Sequence, residues 1–115
     1  MRKILFIIVC FSLAACAQIR PKGPYPENWR ELVKVSIKQN FPDPYSIRDS
    51  EASAPVELAG FNVWQVCIRN NAKNRFGGYI GLRTLAIDIV NGVASAPSEY
   101  IYGCKERRFE PFPLD

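Results

Sequence analysis

The stretch FNVWQVCIR, residues 61–69, decides the fold because apolar residues occupy both of its alternating faces. Successive side chains of an extended strand point to opposite sides of a sheet. One side carries Trp64, Val66 and Ile68, and the other carries Phe61, Val63 and Cys67. A strand that is apolar on both sides is typical of a position that is at least partly covered on each face.

Further strands are predicted on either side of this stretch. A second long strand is expected from Tyr79 to Val90, and a short one around residues 46–53. The pair Asn91-Gly92 lies between Ile89-Val90 and Val93-Ala94, and this dipeptide is a strong signal for a two-residue type I′ hairpin turn. The turn predicts that Tyr79–Val90 pairs with the residues that follow it.

An amphipathic helix is predicted upstream, from Asn28 to about Asn40. Asn28 can cap its start, and Glu31 three residues later can complete a capping box. The apolar face is formed by Trp29, Leu32, Val33, Ile37 and Phe41, and the polar face by Arg30, Glu31, Lys34, Lys38 and Gln39. The segment Phe41-Pro42-Asp43-Pro44 ends the helix. These elements predict an α+β domain over residues 27–115, in which one N-terminal amphipathic helix packs on a three- or four-stranded antiparallel sheet in two layers.

The first residues have the organisation of a signal peptide. A basic start, Met1-Arg2-Lys3, precedes the apolar run Ile4–Leu13 and two small residues, Ala14 and Ala15. A bilayer core needs roughly twenty apolar residues in a helix, so this run is too short for a permanent span.

The sequence Leu13-Ala14-Ala15-Cys16 resembles the lipobox of bacterial lipoproteins. The resemblance implies that residues 1–15 are cleaved and that Cys16 carries acyl chains such as palmitate, which hold the protein to a lipid bilayer. The residue directly after Cys16 is Ala17 and is not acidic. The resemblance therefore favours the outer membrane, with the domain facing the periplasm or the cell surface. An ordinary cleaved signal with a free secreted product also tolerates the Ala-x-Ala spacing of residues 15–17.

The lipidated N-terminus and its tether are assigned to residues 16–26. Gln18–Pro26 holds three prolines and one glycine, which indicates an extended, stiff strap spanning just under about 30 Å. Such a strap is expected to lift the domain clear of the lipid headgroups. Proline-rich segments also serve as ligands for aromatic grooves.

Removal of the signal peptide and acylation of Cys16 leave two of the four cysteines, Cys67 and Cys104. In an oxidising periplasm we expect them to form one structural disulfide. A redox pair or a metal site is the alternative, but the chain has no Cys-x-x-Cys spacing and no histidine.

The candidate partner-binding loop lies between the two longest predicted strands, within Asn70–Gly81. Its candidate residues combine two cations that can hold an anion, one amide and two aromatic rings that can stack: Lys73, Asn74, Arg75, Phe76 and Tyr79. The alternative is a solvated hairpin loop whose glycines serve its bends. The segment from Val66 to Gly81 resembles one in small proteobacterial lipoproteins of unassigned function, which implies no activity.

Composition argues against several classes of function. The absence of histidine removes the commonest general base, and the carboxylates Asp43, Asp49, Glu51, Glu57 and Asp88 are scattered. The net charge of +4 falls to +2 without residues 1–15, which is too weak for nucleic-acid binding. We therefore predict no enzyme, no catalytic residue, no metal and no cofactor.

Two functions fit these features best. The first is a non-catalytic envelope lipoprotein that binds or supports an envelope protein. The second is a periplasmic inhibitor of lysozyme-type cell-wall hydrolases, in which Lys73 or Arg75 enters a carboxylate-lined cleft. A periplasmic enzyme has the least support.

Overall fold

The computed structural model describes residues 22–114, which form one helix packed on a six-stranded antiparallel sheet. The helix α1 is Trp29–Asn40, and a 3₁₀ turn follows at Pro44–Ser46. The strands are β1 Arg48–Ala52, β2 Val56–Leu58, β3 Val63–Asn71, β4 Arg83–Val90, β5 Val93–Ala94 and β6 Glu110–Pro111. The main path of the sheet runs β5-β4-β3-β1-β6, and β2 pairs with β3. The signal peptide, Cys16 and tether residues 18–21 lie outside the described residues.

The strand β3 is central, as its sequence predicts. It pairs with β4 on one side and with β1 and β2 on the other. Its even-numbered residues Val66 and Ile68 face the helix, together with Ile87 and Leu85, the residues opposite them on β4. This face holds the main core: Trp29, Val33, Ile37, Ala52, Val66, Ile68, Leu85, Ile87, Ile89 and Phe112.

The other face of β3 is covered by the C-terminal segment rather than by a second helix. Cys67 and Ala86 pack there against Cys104, with Phe109 beside them. Cys67 and Cys104 form a disulfide, so the predicted pairing is present. Both faces of β3 are therefore buried, as its alternating pattern predicts.

The α+β class, the antiparallel sheet and the single helix agree with the sequence, but two details were wrong. The sheet has six strands rather than three or four, because β2 and β6 have only three and two residues and leave no alternating pattern to detect. The helix is not N-terminal, because it begins at residue 29 after a segment that packs on the domain. Its bounds match the expected ones, although Asn28 makes no side-chain capping bond.

The turns explain where β4 begins and ends. Asn91 and Gly92 have φ angles of 53° and 76°, and Val90 pairs with Val93, as the two-residue turn predicted. The strand starts at Arg83 instead of Tyr79, because Gly81 has a φ of 89° and interrupts the extended backbone.

Part of the expected tether packs on the domain. The Lys22 carbonyl accepts a hydrogen bond from the Asn91 backbone at 2.7 Å, and the Gly23 carbonyl accepts one from the Trp64 indole at 3.1 Å. Tyr25 contacts the Trp64 ring edge to face, with ring centroids 5.4 Å apart. Residues 22–26 are thus part of the folded unit and add no length to a spacer.

Candidate functional site

The loop between β3 and β4 is shaped by its asparagines. Asn74 Oδ1 accepts hydrogen bonds from the backbone N–H groups of Phe76 at 2.9 Å and Gly78 at 3.2 Å. The backbone N–H of Asn74 donates to the Gly78 carbonyl at 2.9 Å, and Lys73 and Tyr79 form an isolated bridge. Asparagine commonly satisfies neighbouring backbone donors in this way. The Asn74 side chain is therefore occupied in holding the turn.

Tyr79 is fixed against the body of the domain. Its hydroxyl donates to the Ser46 carbonyl at 2.9 Å, and the Arg48 guanidinium lies 3.4 Å from its ring centroid. Lys73 Nζ lies 5.5 Å from the same centroid, which is within cation–π range. Tyr79 and Lys73 thus support the base of the loop.

The tip of the loop projects into solvent. Phe76 is 96% exposed, Arg75 is exposed beside it, and Gly77 follows with a φ of 80°. Within residues 22–114, Arg75 makes no ion pair. Arg75 and Phe76 are therefore the predicted loop residues left available to a partner.

A groove of about 280 Å³ lies between this loop and the end of α1. Its lining is mixed, with apolar side chains, amides and cations: Asn40, Phe41, Pro42, Asn70, Ala72, Lys73, Asn74, Ile80, Gly81, Arg83, Leu85, Pro97 and Glu99. Lys73 and Asn74 are the predicted site residues that line it, whereas Arg75, Phe76 and Tyr79 do not. The loop and the groove are therefore neighbouring but distinct features.

Asn70 is the most informative residue of the groove. It is 3% exposed, and its Nδ2 has no hydrogen-bond partner within the described part of the chain. An unpaired buried donor costs about 1–3 kcal/mol, so native proteins rarely keep one. The amide of Asn70 would be satisfied by a ligand that brings an acceptor into the groove.

The charges around the groove favour a ligand with an acceptor or an anionic group. Arg83 pairs with Glu99 at the rim, while Lys73 makes no ion pair among residues 22–114. Phe41, Pro42 and Leu85 supply apolar walls. This combination suits a small group with both an apolar part and a carbonyl or carboxylate.

Asn70 begins the candidate stretch Asn70–Gly81, but sequence reasoning did not single it out among the five candidate residues. A signal was available, because Asn70 follows Trp64, Val66 and Ile68 on the same face of β3 and is the first polar residue there. A polar residue on a buried apolar face needs a partner, and no sequence feature supplies one. Arg83 was missed because it belongs to the groove only through its pairing opposite Asn70.

Across residues 22–114, no group of three His, Cys, Asp or Glu side chains is arranged to hold a metal ion. No helix in that range is long and apolar enough to cross a membrane.

No protein family model, no curated protein and no solved structure matches this chain.

Proposed function

We propose that this chain is a small lipoprotein of the bacterial envelope, attached to the outer membrane through an acylated Cys16. Its domain binds a partner and catalyses no reaction. The anchor and the binding role depend on different observations, so each has its own test.

The anchor is supported by the signal-peptide pattern of residues 1–15 and by Leu13-Ala14-Ala15-Cys16. The disulfide adds support, because Cys67 and Cys104 are both almost fully buried and bonded, and disulfides persist in oxidising compartments. Two or three acyl chains on one residue give stable membrane attachment, at about 0.8 kcal/mol per buried methylene.

The anchor is tested by mass spectrometry and palmitate labelling in a Gram-negative host. We expect a mature chain that begins at Cys16 and carries acyl mass there. Cys16→Ala should abolish labelling, whereas the matched Cys10→Ala variant should keep it, since Cys10 lies in the cleaved segment. A mature N-terminus at another residue, or an unmodified Cys16, would contradict the proposal.

The outer-membrane location depends on Ala17, the residue after the lipidated cysteine. Ala17→Asp should retain the protein in the inner membrane, and Ala17→Ser should leave its location unchanged. Membrane fractionation measures both variants. If the Ala17→Asp and Ala17→Ser variants were divided equally between the inner and outer membranes, residue 17 would not determine the location.

The binding role is carried by Asn70 in the groove, whose amide Nδ2 has no hydrogen-bond partner in the described part of the chain. We propose a peptide-like ligand with an apolar side chain and a free carboxylate, because the groove offers apolar walls, this amide and the ammonium of Lys73, which makes no ion pair among residues 22–114. In a titration with short acetylated apolar peptides, the Asn70 side-chain amide should shift in the NMR spectrum. Amidated forms of the peptides should bind more weakly.

Replacing each of two native alanines with phenylalanine separates binding in the groove from binding elsewhere on the surface. Ala72 lines the groove, so Ala72→Phe should fill it and abolish the shift. Ala59 is exposed and lies outside the groove, so Ala59→Phe is the matched control. An unchanged Asn70 resonance in the parent protein at saturating peptide would refute this ligand class.

Inhibition of a lysozyme-type hydrolase is the second candidate, and the exposed loop tip favours it. Arg75 projects beside the exposed Phe76 and has no ion pair with any described residue, as a residue that enters a carboxylate-lined cleft would. If the protein inhibits lysozyme, Arg75→Ala should weaken inhibition more than Lys105→Ala, which removes an exposed cation from the C-terminal segment. Absence of inhibition by the parent protein would eliminate this function.

A further inference from the structure

Three exposed aromatic side chains form a cluster away from the groove: Phe61, Tyr100 and Tyr102. The Phe61 ring centroid lies 6.0 Å from both tyrosine centroids, which are 6.5 Å from each other. Each side chain is about half exposed or more, and the exposed Ile101 lies between the tyrosines in the sequence. The aromatic cluster is therefore a contiguous apolar patch with two phenolic hydroxyls.

The aromatic cluster lies at the Val63 end of β3, and Lys22, the first described residue, lies at the same end. Phe61 immediately precedes β3, and Gln65 near its start donates to the Tyr102 carbonyl at 2.7 Å. Lys22 lies at the same end, because its ion pair with Glu57 and its contact with the Trp64 ring hold it there. The loop tip lies past the opposite end of this strand, and the groove lies around that end at Asn70, with Glu99 of its rim directly preceding Tyr100.

Covalent geometry limits how far this end can be from the lipidated residue. Six residue steps join Cys16 to Lys22, so the two are at most about 22 Å apart. Residues 22–26 pack on the domain and cannot extend this reach. A nine-residue strand such as β3 is itself about 30 Å long, so its two ends differ strongly in their possible distance from the anchor.

We infer that the aromatic cluster contacts the interface of the bilayer that holds Cys16, and thereby orients the domain with its loop and groove turned away from the lipid. This inference rests on the lipid anchor of the proposed function. Aromatic rings with a polar tip favour the headgroup region, where one end is apolar and the other is hydrated. Tyr100 and Tyr102 are exposed and contact Phe61, which lies just before β3, and these side chains fit that environment.

The test uses the mature acylated protein in phosphatidylethanolamine and phosphatidylglycerol vesicles whose acyl chains carry bromine, a quencher of tryptophan emission. Tyr102→Trp places a probe in the aromatic cluster, and Phe76→Trp places a matched exposed probe at the opposite end. After subtraction of the parent signal from Trp29 and Trp64, we expect a roughly twofold loss of emission for the Tyr102→Trp probe, because interfacial aromatic residues lie close to the acyl chains. The Phe76→Trp probe should lose none.

Phe61→Trp is the second probe if Tyr102→Trp disturbs the fold, and it should be quenched in the same way. Equal quenching at both ends, or none at either, would overturn the inference. The same samples are analysed by mass spectrometry for acyl mass on Cys16. Acylated protein without quenching refutes only the membrane orientation, whereas unacylated protein refutes the anchor itself.

Discussion

The two faces of β3 are covered by different physical means. The helix face is closed by aliphatic side chains from α1, β3 and β4, and Val33, Ile37, Val66, Ile87 and Ile89 have no exposed surface. The opposite face has a small cluster of Cys67, Ala86 and Cys104, held by a disulfide. One face is stabilised by apolar burial, and the other by a covalent bond with hydrogen bonds around it.

The hydrogen bonds on the disulfide face centre on Gln65, which is 1% exposed. Its Nε2 donates to the Tyr102 carbonyl, and its Oε1 accepts from Arg107 Nη2 at 2.9 Å. Arg107 Nε also donates to the Gly103 carbonyl at 2.9 Å. An irregular segment without an amphipathic pattern can thus cover a strand, provided that a crosslink and polar contacts hold it in place.

Removal of the disulfide should have the largest effect on stability. The bridge closes a loop with a sequence separation of 37 residues, and chain entropy then predicts a loss of about 4 kcal/mol for Cys67→Ala with Cys104→Ala. Urea unfolding followed by circular dichroism measures the change. Reductant should destabilise the parent protein and leave the double variant unchanged; equal sensitivity of both would contradict the role of the bridge.

Truncation of the helix-face core should have the next largest effect. Ile87→Ala removes three carbon atoms from a fully buried side chain and should cost about 3.5 kcal/mol, the middle of the usual range for such cavities. The exposed Ile101 provides a control, because Ile101→Ala should change the urea midpoint little. If Ile87→Ala and Ile101→Ala lowered the free energy of unfolding by similar amounts, apolar burial would not be what stabilises the helix face.

Loss of the Arg107 donors should destabilise the disulfide face to a smaller extent. Arg107→Leu keeps an apolar stem but leaves Gln65 Oε1 without this donor, at a cost of about 1–2 kcal/mol. Arg108→Leu changes the exposed neighbouring cation and is the matched control. If Arg107→Leu is as stable as the parent protein, the polar contacts contribute nothing to this face.

The smallest effect is a pH dependence from Asp88 on β4. Partial burial raises the pKa of the Asp88 carboxyl above its ordinary value of 3.8. The folded state therefore holds this proton more tightly than the unfolded state, so the Asp88 contribution to stability falls as pH rises from about 3.8 through the folded-state pKa. Asp88→Asn should remove this loss and slightly stabilise the protein at pH 7.

The Asp88 prediction is measured by urea unfolding at several pH values. Glu106→Gln alters an exposed carboxyl outside the sheet and serves as the control. The prediction would be contradicted if the free energy of unfolding changed with acidic pH in the same way for the parent protein and for Asp88→Asn.

Local patterns predicted the regular elements well. The helix was expected to end at about Asn40 and does so, and Asn91-Gly92 forms the expected turn with both φ angles positive. These features depend on residues close in the sequence, where helical periodicity and turn preference act directly. The capping box failed because Asn28 has a φ of −92° and a ψ of 22°, outside the extended conformation that such caps usually adopt.

The candidate site was predicted less completely. Lys73 and Asn74 were named and do line the groove, but Asn70, Phe41 and Arg83 join them from a strand, a helix end and a second strand. Their proximity depends on register and packing between elements, which single-sequence patterns do not encode.

The sequence alone determined the class of the fold, the central strand and the hairpin turn, because each follows from spacing along the chain. Only the tertiary structure decided that residues 22–26 pack on the domain and that the buried Nδ2 of Asn70 has no partner among residues 22–114. It also decided that the aromatic cluster lies at the end of β3 nearest residue 22. The physical reason is that burial and unmet hydrogen bonds depend on contacts between residues far apart in the chain.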